Sequence, residues 1–186
     1  MQITIGENTL ELLIGDITKQ ATDAIVNAAN GSLMGGGGVD GAIHKAAGQE
    51  LLQACRRLRK EQLNEEPLGT GEAVITPGFK LPASYVIHTV GPIWNTHNPI
   101  QDIQLADCYQ NSFKLAKEYK LTSISFPSIS TGVYRFPIER AAKIAMRTIT
   151  NYLQTVDFGQ VRMVLFSETD FTVYKSALRN IICSSS

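Results

Sequence analysis

Asp40 and His44 stand four residues apart in "GVDGAIHKAAG". In a helix that spacing puts a carboxyl and an imidazole on one face, one turn apart. Facing a cleft, such a pair can serve acid–base chemistry. Both residues also have plainer uses. An aspartate ahead of "GAIHKAA" can be a helix N-cap, and a satisfied structural histidine is the commoner outcome for His44. The residues before them are less ordinary. Gly35 to Gly38 form a run of four glycines, with Asn27 and Asn30 upstream in "NAAN". Glycine weakens helix and strand alike through backbone entropy. Four together imply that the backbone approaches something closely. Amides at the end of a strand can fix a loop or bind ribose hydroxyls, since each carries donors and acceptors.

Gly36, Gly38 and Gly41 match G-x-G-x-x-G literally. The dinucleotide fingerprint needs a strand running straight into it and an acid about 20 residues later. Here the preceding strand ends near Ala29 and the region near position 60 is basic, so that reading is rejected. There is no G-x-x-x-x-G-K-[ST] either. What survives is a flexible loop leading into a helix N-terminus, which favours anions. A second such loop is "STGVY", Ser130 to Tyr134. Its N–H groups and hydroxyls can meet phosphate oxygens, and two such loops on one sheet edge suggest a clamped pyrophosphate. Taken alone, Thr131 and Gly132 are better explained by a turn. Asp16, in "GDIT", either caps the next helical turn or accepts from an exocyclic amine. Tyr134 either joins the core or packs on a sugar. His88 and His97 receive no role, and no group of residues makes a metal site.

The elements that must position these residues alternate along the chain. Six short apolar runs read as strands: Leu10 to Gly15, Asp23 to Ala29, Gly71 to Gly78, Ser84 to Pro92, Thr122 to Ser130 and Val161 to Ser167. Several are continuously apolar, as for strands covered on both faces. Helical patterns lie between them: Gly41 to Ala47 running on into Leu51 to Leu58, then Asp102 to Tyr119, Pro137 to Leu153 and Glu168 to Ile181. Along Asp102 to Tyr119 the expected inner side is Ile103, Ala106, Tyr109, Phe113 and Ala116. This order predicts an α/β protein, layered around a largely parallel sheet. Ligands in such sheets bind beyond the strand C-termini, where all three unusual loops fall.

The 186 residues suit one domain, and 44% hydrophobic content is enough for a core. Seventeen Lys plus Arg balance seventeen Asp plus Glu. No general attraction to nucleic acid or anionic membrane follows. The local run "CRRLRK", Cys55 to Lys60, reads as the solvated face of a helix. Cys55, Cys108 and Cys183 lie far apart and read as reduced and buried. The N-terminus has no basic leader pattern, and no apolar run approaches a membrane span. A cytoplasmic protein is expected, with "CSSS" frayed.

Together these segments resemble a known family. "GDIT", "DAIVNAAN", "LMGGGGVDGAIHKAAG", "GEAVITPG", "YVIHTVGPIW", "CYQNS" and "SISFPSISTGVYRFP" are similar to the macro domain family. The likeness is strongest to MacroD-type ADP-ribose hydrolases and bacterial O-acetyl-ADP-ribose deacetylases. It runs from about Leu12 to about Tyr174. It implies a three-layer α/β/α sandwich with a mixed, mostly parallel six-stranded sheet. One macro domain is then expected over residues 1–182, with residues 183–186 as a frayed tail.

The resemblance also implies roles. Asp16 binds the adenine amine, with Ile17 adding backbone contact. Asn30 meets the distal ribose, and Asn27 supports the same loop. Gly37, Gly38, Val39 and Asp40 cradle pyrophosphate and distal ribose. Ser130, Thr131, Gly132, Val133 and Tyr134 form the second phosphate loop, and Phe166 and Ser167 border the adenosine. The catalytic set is Asp40 as general base or water orienter, Asn30, and His44 in support. The implied activity is hydrolysis of esters at the distal ribose, from O-acetyl-ADP-ribose or from ADP-ribosylated protein Asp or Glu. It needs no metal or cofactor. The expected partners are ADP-ribose, its esters and mono-ADP-ribosylated proteins, with neither membrane nor nucleic acid, and a monomer is the default. The alternative is a module that binds ADP-ribose without cleaving it. A more distant one is RNA or poly(ADP-ribose) binding through Arg56 to Lys60. Two departures stand out: Arg135 where relatives commonly have glycine, and "NTHNP" after the tryptophan where relatives tend to have a glycine pair.

Overall fold

The chain pairs its strands from the second residue onward. In the computed structural model, which describes residues 1–184, β1 (Gln2–Ile5) and β2 (Asn8–Ile14) make a hairpin. The two-residue loop between them puts Gly6 at φ +59°, a conformation glycine adopts without strain. After a single 3-10 turn (Ile17–Lys19) come β3 (Ala24–Ala29), α1 (Gly38–Ala47), α2 (Gln49–Gln62), β4 (Ala73–Pro77) and β5 (Tyr85–Val90). Then follow α3 (Gln101–Glu118), β6 (Ser123–Phe126), α4 (Ile138–Thr155), β7 (Gln160–Leu165) and α5 (Glu168–Ser184).

All the strands join one sheet in the order β1-β2-β7-β6-β3-β5-β4. The inner five run parallel, and each edge strand is antiparallel to its neighbour. The sheet is mixed and mostly parallel, as expected, but it has seven strands rather than six. The extra one is β1. Its four residues alternate between exposed and half-buried, and an edge strand this short has no continuous apolar run to mark it.

Side chains alternate between two apolar layers, which makes a three-layer sandwich. Ala24 and Val26 point into the core under α3, α4 and α5. Ile25 and Ala29 point into a smaller core under α1 and α2. By the same alternation Asn27 faces the α1/α2 layer, although it is polar and fully buried. Val86 and Val90 share that face, so His88 lies between them on the same side as Asn27, its register partner.

Helix limits differ from expectation in instructive places. α1 begins at Gly38, so Asp40 lies inside its first turn and Gly37 occupies the cap position. The predicted capping role of Asp40 is therefore wrong. α1 and α2 are broken at Gly48, which sits at φ +90°. On α3 the buried face is Leu105, Cys108, Tyr109, Ser112, Phe113 and Ala116, and Ile103 is 62% exposed. Cys183 and Ser184 continue α5 rather than fraying, and Cys183 is exposed rather than buried. Residues 185 and 186 of the expected frayed tail lie outside the described residues. Arg56, Arg57 and Lys60 are exposed on α2, as the solvated-face reading requires. Among the described residues no helix is long and apolar enough to cross a membrane.

Candidate functional site

The five parallel strands end on one side of the sheet. Asp16 follows β2, Asn30 follows β3, Gly91 follows β5, Ser128 follows β6 and Phe166 follows β7. All of these line one cleft of about 830 Å³. It opens where the chain's direction of travel across the sheet reverses, between β3 and β6. There the ladder holds only Ala24↔Ile124 and Ile25↔Ser125, against six pairs between β3 and β5. Such a switch point is where open α/β sheets receive ligands.

The N-terminus of α1 makes one wall. Gly37, Gly38, Val39 and Asp40 line the cleft, and the first N–H groups of a helix have no partner within it. Gly36 is wedged behind them: a Cβ there would come within 3.2 Å of Asn30 Nδ2 and 3.3 Å of Asp40 Oδ2. Asn30 holds the glycine loop. Its Nδ2 donates to Gly35 O at 2.9 Å and its Oδ1 accepts from Ser32 N at 3.0 Å and from the Ser32 hydroxyl. One amide hydrogen remains for a ligand.

Ser130 to Tyr134 make the facing wall. Thr131 Oγ1 is bound to Ser128 Oγ at 2.7 Å, which also meets the Tyr174 hydroxyl at 2.7 Å. The Thr131 hydroxyl is therefore occupied in shaping the loop. Ser130 differs: it is held at φ +66°, and its buried Oγ has no partner. A buried orphan hydroxyl costs free energy until something binds it, and this one belongs to a residue of the cleft wall. Arg135 sits at φ +58°, closing a turn onto Gly132 O. That left-handed backbone is one that glycine would adopt without strain, and the arginine side chain is exposed. Trp94 donates its N–H to Tyr134 O at 2.8 Å and packs against Phe136. The chain around "NTHNP" is thereby anchored to this loop.

Asp40 is the buried acid of the site, 4% exposed. Its Oδ1 accepts from Asn27 Nδ2 at 2.8 Å and lies 3.5 Å from His44 Nε2. Its Oδ2 has no partner within the protein among the described residues. Burial pushes its titration above the ordinary carboxylate range, and the Asn27 hydrogen bond and His44 only partly offset this. Asp16 is the opposite case. Its Oδ1 caps the 3-10 turn, accepting from Thr18 N at 2.8 Å and Thr18 Oγ1 at 2.6 Å. The Thr18 hydroxyl holds it below the ordinary range. With Oδ2 unpaired, Asp16 can cap and still accept from a ligand.

Most of the residues singled out in the sequence are brought together: Asp16, Ile17, Asn30, Gly37 to Asp40, Ser130 to Tyr134 and Phe166 all border the cleft. Two are not. Asn27 faces the α1/α2 layer, behind Asp40, and is not itself part of the cleft lining. His44 borders a separate, shallower hollow of about 420 Å³ with Gly35 and Lys45. Both reach the site only through Asp40. Sequence reasoning missed Gly91, Ser128 and Asp170 in the lining, and His88 behind it. For Gly91 and Ser128 the signal was available, since each follows a parallel strand.

The geometry agrees with what is similar to this chain. The Macro domain family model matches residues 26–145. The O-acetyl-ADP-ribose deacetylase of Escherichia fergusonii is 50% identical across 92% of this chain and 96% of its own length. The Oceanobacillus iheyensis macrodomain, solved with ADP, is 58% identical, with 99% of this chain and 97% of that one covered and a TM-score of 0.97. Its mutant G37V, solved with ADPR, superposes with a TM-score of 0.96 at 58% identity, covering 98% of each chain.

Proposed function

The chain belongs to the macro domain family, and from that premise we propose that it is an ADP-ribose-binding hydrolase that cleaves esters at the distal ribose. Its substrates are O-acetyl-ADP-ribose and mono-ADP-ribose esterified to protein Asp or Glu. One observation carries the reading: a buried carboxylate with one free oxygen stands where two anion-binding loops face each other. The deacetylase relative at 50% identity and the neighbour solved with ADP support it.

Each part of the cleft has a task. The pyrophosphate lies between the α1 N-terminus and the Ser130–Tyr134 loop, whose N–H groups suit anions. Adenine lies at the Asp16 end beside Phe166, which is 92% exposed and offers its ring to a partner. The distal ribose then falls near Asn30, Asp40 and Tyr134. Asp40 Oδ2 takes a proton from a water that attacks the acyl carbon. The resulting tetrahedral intermediate expels the ribose oxygen, which regains that proton. A free carboxylate of pKa ~4 is a weak base at neutral pH. Burial makes Asp40 a stronger one. A cytoplasmic monomer of one macro domain is proposed with this reading.

The test is hydrolysis of O-acetyl-ADP-ribose and of a glutamate-ADP-ribosylated protein, followed by release of acetate and of ADP-ribose. Turnover of the ester is expected. A protein that binds ADP-ribose in calorimetry but cleaves neither substrate is a reader, and the enzyme reading is then wrong. The same calorimetry checks the adenine contact. Asp16→Ala is expected to weaken ADP-ribose binding about tenfold, the worth of one hydrogen bond to a charged group, and an unchanged affinity removes Asp16 from the site.

A further inference from the structure

Behind Asp40 runs a chain of buried polar groups that the ligand cleft does not use. Asn27 Nδ2 lies 2.8 Å from Asp40 Oδ1 and 3.1 Å from His88 Nδ1. His88 Nε2 lies 2.9 Å from Thr76 Oγ1 on β4. Asn27 and His88 are fully buried and Thr76 nearly so. We propose that Thr76, through the tautomer of His88 and the orientation of the Asn27 amide, sets the charge state of Asp40. Thr76 and His88 are thus positioning residues for the acid centre. The inference rests on the reading of Asp40 as the base.

The argument is one of donors and acceptors. An amide nitrogen has two hydrogens, and both are spoken for: one on the Asp40 carboxylate, one on His88 Nδ1. A neutral imidazole has one acceptor and one donor nitrogen. If Nδ1 accepts, the proton is on Nε2 and is donated to Thr76 Oγ1. Burial keeps His88 neutral, holding its titration down at about 3, with His44 adding to the effect. The other tautomer would set Nδ1–H against an Asn27 N–H. Relief would require the amide to turn, placing Oδ1 where Nδ2 now stands. Asp40 would then lose its donor and face a carbonyl oxygen, which favours its protonated form. The observed amide leaves its own Oδ1 buried without a partner. Its orientation therefore answers to the carboxylate and the imidazole, not to its own oxygen.

The other groups facing Asp40 do not duplicate this control. From α1, His44 Nε2 stands at 3.5 Å from Oδ1. From α2, the Cys55 thiol is pushed up to about 12 by burial, with Asp40 adding to it, so it carries no charge at neutral pH. Cys55 Sγ is 4.0 Å from His88 Nε2, a poorer partner than Thr76.

Three proteins test the chain: the wild type, Thr76→Val, which keeps the shape and removes the acceptor, and Thr76→Ser, which restores it. Nitrogen-15 shifts of the His88 ring report its tautomer, and carbon-13 shifts of the Asp40 carboxyl report its titration. The wild type is expected to carry the His88 proton on Nε2. In Thr76→Val the Nδ1–H form is expected to appear and Asp40 to titrate about one pH unit higher, a tenfold change in its proton affinity. The acidic limb of kcat for O-acetyl-ADP-ribose should move up by the same amount, with KM little changed. Thr76→Ser should reverse each shift. A wild-type proton on Nδ1 overturns the proposal whether or not the variants fold. So does an Asp40 titration that ignores Thr76→Val. These spectra need no turnover, so a protein that binds ADP-ribose without cleaving it defeats the hydrolase reading alone.

Discussion

Asp40→Ala is expected to slow hydrolysis of O-acetyl-ADP-ribose by about 10²–10⁴-fold, the usual worth of a positioned general base, while ADP-ribose remains bound. The two outcomes separate because the two jobs are held by different atoms. In the proposed reading the pyrophosphate is gripped by backbone N–H groups of α1 and of the Ser130–Tyr134 loop. Asp40 contributes only a negative charge near it, and removing that charge does not weaken attraction for an anion. Asp40 is the base placed at this wall: its Oδ2 is a buried carboxylate oxygen with no partner among the described residues. Steady-state kinetics and calorimetry on the same preparation check both halves. A rate within threefold of wild type would remove Asp40 from the chemistry and leave the cleft as a binding site.

The same residue links activity to stability. Burial raises the titration of Asp40 in the folded protein above its unfolded value. Between those two values the folded state holds more protons, so stability falls as pH rises through that window. The penalty is fully present above the folded-state titration of Asp40 and absent below about pH 4, near the unfolded carboxylate value. Asp40→Asn can keep an oxygen toward Asn27 and carries no charge. It is expected to melt no lower than wild type at pH 7, with any advantage vanishing in acid. A variant whose deficit stays constant from pH 7 to pH 4 would show that the buried charge costs nothing.

The sequence disclosed the parts that repeat a pattern and concealed those that depend on a single contact. The five parallel strands announced themselves because both their faces are apolar. β1 did not, since an edge strand is covered on one face and its four residues carry only two isoleucines. Ser130 and Gly132 were legible as cleft-lining residues because they follow a parallel strand at the end of the sheet where ligands bind. His88 was not, because it reads as one polar residue inside an apolar strand. Its meaning lies in Asn27, sixty-one positions away, and strand pairing alone brings them together. Asp40 was read as a residue of the cleft, which it lines, but with the wrong local role. The glycines ahead of it let α1 start at Gly38, which moves the carboxylate from the cap to the first turn and turns it against Asn27.

Gly91→Ala is expected to weaken ADP-ribose binding by roughly 5–150-fold and to lower the melting temperature, although Gly91 carries no side chain to lose. It follows β5 directly beneath the Ser130–Tyr134 loop. A Cβ there would overlap Ser130 Oγ and stand 2.7 Å from Ile129 Cγ2. Ile129 is fully buried in the core and cannot retreat. Ser130 is held by its own backbone, since Phe136 N donates to Ser130 O at 2.9 Å. The loop must therefore rise, at the usual overpacking cost of about 1–3 kcal/mol, which corresponds to the affinity range given. Raising it pulls its N–H groups out of register with those at the α1 N-terminus, and a pyrophosphate then meets one wall instead of two. Gly132→Ala, in the same loop, is the control. No atom lies within 4 Å of its Cβ, so binding should be close to wild type. Adding Ser130→Ala to Gly91→Ala removes the overlapping oxygen and should recover melting temperature but not full affinity. That non-additivity would locate the effect in this contact, and equal losses in Gly91→Ala with and without Ser130 would place it elsewhere.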